Sequence, residues 1–98
     1  MDKIYRGQDF KLTLVGGIDL GGGSATIEFG RRSNVQRGIY SSLSAVVEDQ
    51  PTCTCYRDFV PADIDSSGLW SFWLRVITGG GKTYIGRPYT IRVMELGR

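Results

Sequence analysis

Apolar and polar residues alternate with a period of two along most of this chain. In DFKLTLV, from Asp9 to Val15, Phe10, Leu12 and Leu14 alternate with Lys11 and Thr13. One face then meets a core and the other water, which predicts a β-strand. Gly16-Gly17 ends it, Ile18-Asp19-Leu20 is a short extended piece, and Gly21-Gly22-Gly23 turns the chain. In SATIEFGRR, Ser24 to Arg32, the apolar Ala25, Ile27 and Phe29 alternate with Ser24, Thr26 and Glu28, predicting a second strand. Leu43 to Asp49 and Thr52 to Phe59 predict a third and a fourth. Gln50-Pro51 separates them, because proline has no N–H for a sheet ladder. The strongest pattern is Leu69 to Thr78, with Trp70, Phe72, Leu74 and Val76 on one face and Leu69, Trp73, Arg75 and Ile77 on the other. A hairpin turn at Gly79-Gly80-Gly81-Lys82 leads to Thr83 to Ile85 and Tyr89 to Glu95, a final strand interrupted near Gly86-Arg87-Pro88.

Two stretches break the alternation. Arg31 to Ser42 is polar and contains Gly38, which predicts a loop with Ile39-Tyr40 packed beneath it or against a partner. Val60 to Gly68 is rich in turn residues, with room for a single helical turn over Pro61 to Asp65. Six to eight short strands, frequent turns and no amphipathic helix predict an all-β antiparallel sandwich or small barrel.

Composition sharpens this picture. The 98 residues amount to one domain, and the 14 glycines are about twice the usual frequency, as turns between strands require. A domain of this size buries only about 60–70% of its unfolded surface, so its stability margin is thin. A net charge of +2 is too mild to predict a nucleic-acid partner. No apolar run approaches the roughly 20 residues that span a bilayer, and Met1 to Arg6 has no apolar stretch of a leader peptide. The expectation is a chain made and folded in a reducing cytoplasm. Cys53 and Cys55, two apart on a strand, have Cα atoms roughly 6.5–7 Å apart, at or beyond disulfide reach, and are expected as free, partly buried core thiols, with an intermolecular bridge or a shared metal site as the alternatives.

The candidate chemistry is sparse. The chain contains no histidine, which removes the commonest general base and any Ser-His triad. Two cysteines without histidine do not complete a zinc site. Asp63 and Asp65 read as acids of a surface turn. Gly79-Gly80-Gly81-Lys82-Thr83 imitates the tail of a phosphate-binding loop, but Val76 stands where such a loop needs its first glycine. No catalytic, cofactor-binding or metal residue is expected, and neither is a small-molecule substrate. Candidate partner contacts are Arg31, Arg32, Arg37 and Tyr40, a basic-aromatic loop, and Trp73. Trp70 and Trp73 lie three apart and so face opposite ways; one belongs to the core, the other lies under the chain's own loops or against a partner.

The order of features resembles a known group. Ile4-Tyr5-Arg6-Gly7-Gln8-Asp9-Phe10 precedes an alternating strand, followed by Ile18-Asp19-Leu20-Gly21 and Ala25-Thr26-Ile27-Glu28-Phe29. Then come Pro61-Ala62-Asp63, Ser67-Gly68-Leu69-Trp70, Gly81-Lys82-Thr83-Tyr84 and Tyr89-Thr90-Ile91-Arg92-Val93. The layout is similar to immunoglobulin-like domains of tailed-bacteriophage virion proteins, such as the N-terminal domain of baseplate upper proteins. It implies an immunoglobulin-like sandwich over residues 1–98, with Met1 to Arg6 and Glu95 to Arg98 as short polar arms. The implied role is a non-enzymatic subunit of the virion, in tail, neck, baseplate or adaptor, present in many symmetric copies and contacting other virion proteins. Capsid decoration is a further virion role, and a stand-alone sugar- or protein-binding module is the alternative outside it.

Overall fold

All four phenylalanines of the chain meet in one cluster. Phe29 and Phe72 are cross-strand neighbours in one sheet, and Phe10 and Phe59 are neighbours in another. Their rings stack within each sheet, at 5.7 Å and 5.0 Å, and meet edge to face between sheets, with Phe59 5.4 Å and Phe10 6.1 Å from Phe72. Both arrangements are favoured by the ring quadrupole. A computed structural model, describing residues 2–95, arranges the rest of the chain around this contact.

The elements are β1 (Asp2–Tyr5), β2 (Phe10–Val15), β3 (Ser24–Arg31), α1 (Arg32–Val35), β4 (Ser41–Ser44), β5 (Val46–Asp49), β6 (Thr54–Phe59), a 3-10 turn (Pro61–Asp63), β7 (Gly68–Ile77), β8 (Thr83–Ile85) and β9 (Tyr89–Met94). A six-stranded sheet runs β1-β9-β7-β3-β4, with β8 also on β7; a three-stranded sheet runs β2-β6-β5. Their inner faces pack together as an all-β sandwich. Inward residues are those the alternation selects: Leu12 from β2, Ala25 and Ile27 from β3, Trp70, Leu74 and Val76 from β7, and Ile91 and Val93 from β9. β6, whose inward face the alternation leaves open, turns Cys55 and Phe59 to the core. Arg57 shares that side and donates to the Ser44 carbonyl at 3.1 Å.

The described residues hold nine strands where six to eight are expected, and the structure departs from the expectation in three places. Asp2–Tyr5 is not a free arm but an edge strand, parallel to β9 in a sandwich expected to be antiparallel, with Ile4 beside Val93. Of the expected arms, residues 1 and 96–98 lie outside the described residues. The single strand expected over Leu43 to Asp49 is two strands in different sheets, and the chain crosses between them at Ala45, whose N–H donates to the Ala25 carbonyl at 3.0 Å. A bulge follows between Val47 and Asp49, a common companion of such a corner. The Arg31–Ser42 loop contains the short helix α1 and the first residues of β4.

The expected fourth strand starts two residues late, at Thr54, because Cys53 takes a left-handed φ of +53° in the turn before it. That turn accepts Gly16 N–H on the Cys53 carbonyl at 2.9 Å, which ties the end of β2 to the start of β6. The two thiols are fully buried and free, with sulfurs 3.8 Å apart. Burial, aided by the Cys53 thiol, pushes the Cys55 thiol from 9.0 up to about 12. The two glycine triplets also meet. Gly79 N–H donates to the Leu20 carbonyl at 2.9 Å, and Leu20 itself is fully buried.

Two outcomes are expected. A Cβ at Gly79 would collide with the Gly21 carbonyl oxygen, whereas one at Gly80 has only Thr78 Oγ1 nearby at 3.9 Å. Urea titration should therefore show Gly79→Ala losing about 1–3 kcal/mol and Gly80→Ala staying within about 0.5 kcal/mol of the parent. Because the folded pKa of Cys55 is raised, its stabilising contribution is complete below pH 9.0 and is lost as pH climbs toward about 12. Native protein at about pH 8 should resist a thiol reagent that denatured protein consumes at both cysteines, and Cys55→Ala should flatten the alkaline decline of stability.

Candidate interaction surface

The outer face of the six-stranded sheet carries the most unusual polar arrangement in the molecule. Register sets Glu28 beside Trp73 and Thr26 beside Arg75. Glu28 is 6% exposed, which costs a carboxylate its hydration unless donors replace the water. They do: Trp73 Nε1 donates to Oε1 at 2.8 Å and Arg75 Nε to Oε2 at 3.0 Å. The hydrogen bond to Glu28 and its charge raise the Arg75 pKa further above its ordinary value, so the guanidinium stays charged.

Trp73 is itself only 7% exposed although it points away from the sandwich core. The chain's own segment covers it. α1 packs over β3 and β7, and Gly38, at φ +78°, returns the backbone so that Tyr40 meets the indole edge to face at 5.3 Å. Gly30 makes this close approach possible, since a Cβ there would press on Val35 and the Ile39 carbonyl. Both tryptophans are therefore buried. Trp70 lies on the core side with its indole N–H on the Ser66 carbonyl at 3.0 Å.

The candidate contact residues thus divide. Tyr40 and Trp73 come together, with Tyr40 44% exposed and presenting the outer surface. Arg32 and Arg37 flank them, exposed at the start of α1 and just after it. Arg31 is exposed but lies with its guanidinium beside Gly68, near the end of the sheet. Reading the sequence strand by strand missed Val35, Ile85 and Pro88, which with Trp73 line a shallow groove of about 220 Å³. Ile85 is 61% exposed, an apolar residue on a three-residue strand too short to show alternation.

A second groove, of about 340 Å³, opens on the flank of the sandwich between β1 and β2. Ile4, Phe10, Leu12, Leu14 and Ile91 form its apolar wall, and Asp2, which accepts from the Tyr89 hydroxyl, sits at its margin. β2 is the terminal strand of its sheet, so one edge of its backbone is unpaired beside this groove. The remaining motifs are local. Asp63 accepts the Val60 N–H at 2.9 Å and so caps its own turn, and Gly79-Gly80-Gly81 forms the β7–β8 hairpin, closed by Thr78 N–H on the Lys82 carbonyl at 2.9 Å. Among the described residues no group of His, Cys, Asp or Glu is arranged to hold a metal, and no helix is long and apolar enough to cross a membrane.

Removing the Glu28 acceptor should leave a buried indole N–H without a partner. Glu28→Ala is expected to lose about 1–3 kcal/mol in chemical denaturation, and Glu28→Gln, which keeps an oxygen for Trp73, less than that. Compared with protein-family models, with curated proteins and with solved structures, the chain matches none of them.

Proposed function

We propose that this chain is a non-enzymatic structural subunit of a tailed-phage virion, a tail, neck, baseplate or adaptor component that works through contacts with other virion proteins. The observation that carries the reading is the open flank between β1 and β2. An unpaired strand edge beside a half-exposed apolar groove is a liability for a protein that stays alone, because it invites pairing with any extended chain. It suits a subunit whose flank is closed by a neighbour's strand, where main-chain hydrogen bonds give affinity and alternate apolar side chains fill the groove. Such docking also adds stability to a domain whose own core is small, by mass action. The resemblance of the strand-and-turn layout to immunoglobulin-like virion domains supports the same role.

Gradient-purified tailed particles that encode this chain should contain it at a fixed, multi-copy stoichiometry in quantitative mass spectrometry. A chain recovered only from the soluble lysate, with none on the particles, would overturn the reading.

A further inference from the structure

The two outer faces of the sandwich carry opposite charge, although the whole chain is nearly neutral at +2. On the six-stranded sheet, alternation and register turn Lys3, Arg75 and Arg92 outward, with Lys3 beside Arg92. Arg32 and Arg37 ride on the segment covering that face, and Arg87 adjoins Pro88 at the groove. The one acid turned outward from its strands is Glu28, already held by Arg75 and Trp73. On the three-stranded sheet, Asp58, Asp49 and Glu48 face outward, and the lone base, Lys11, is occupied by Glu48 at 3.6 Å and lies over the Tyr56 ring.

The apolar features are complementary in the same sense. The basic face has the concave element, the groove of Val35, Trp73, Ile85 and Pro88. The acidic face has exposed apolar side chains, Val15 and Val46, which are 65% and 48% exposed.

We propose that the basic face of one copy docks on the acidic face of a second copy, head to tail. This deepens the proposed assembly role, on which it rests, by naming the partner as the chain itself. The contact is heterologous, because different faces meet, so every bound pair still offers one free face of each kind. Repetition then yields a ring where the rotation closes and a filament where it does not. Exposed charges attract weakly and are screened by salt, so the association is modest in solution and salt-sensitive. Charge fixes which faces meet, and apolar insertion supplies contact area.

Sedimentation velocity of the full chain tests this. Wild type should form concentration-dependent larger species at low salt that dissociate at about 1 M salt, where the Debye length is about 3 Å. Lys3→Glu, Arg37→Glu, Arg87→Glu and Arg92→Glu together make both faces acidic; Glu48→Lys with Asp58→Lys makes both faces basic. All six positions are exposed, and far-UV circular dichroism with thermal melts verifies that both variants fold. Each variant alone should lose the larger species, and an equal mixture should regain them, because every acidic face then has a basic one. A mixture that stays monomeric, or a self-association lost in only one of the variants, overturns head-to-tail docking. So does a wild-type chain that is monomeric at low salt, including one whose basic face binds a DNA duplex instead. A chain monomeric in solution yet present in purified particles would overturn this docking alone and leave the assembly role standing.

Discussion

The contact between the two phenylalanine pairs is what makes two sheets into one domain. Phe29 and Phe72 belong to one sheet, Phe10 and Phe59 to the other, and neither pair is shielded from water without its counterpart. By itself the three-stranded sheet would expose a bare apolar face to water, and so would the six-stranded one. Interdigitation of the four rings solves both problems at one place. Leu20, Cys53 and Cys55 then fill the rest of the interface on the small-sheet side, while Ile27, Val76 and Val93 do so on the other.

What the sequence made legible is the set of residues that line this interface. Alternation in β2, β3, β7 and β9 identifies their inward residues correctly, because a strand with one wet face leaves a period-two trace in any context. The crossing at Ala45 left no such trace. Leu43, Ala45 and Val47 keep the same parity and all pack partly against the core, so the pattern runs unbroken through a change of sheet. β1 was illegible for a different reason. Four residues with one apolar position, Ile4, carry too little pattern, and their strand identity comes from pairing with a segment nearly ninety residues away.

The outer surface was legible only in part. Arg32, Arg37, Tyr40 and Trp73 were recognisable as residues able to meet a partner, but their arrangement depends on α1 folding back across β7, a non-local event. That folding-back buries Trp73, and its N–H is satisfied by a carboxylate one strand position from the core phenylalanine register. The polarity of charge between the two faces is likewise invisible to composition. It emerges only when the strands are assigned to sheets and each side chain to a face.

The parallel pairing of β1 with β9 gives the domain a mechanical character. Asp2 lies beside Ile91 and Tyr5 beside Met94, so a pull backward from the head of β1 and forward from the tail of β9 slides the two strands along each other. The backbone hydrogen bonds between them are then loaded together, in shear, and cannot be peeled apart one after another as in a hairpin pulled from its open end. A sandwich with this geometry bears tension along its strands far better than across them, and its grip on the load is the four-residue strand that looks least substantial in the sequence.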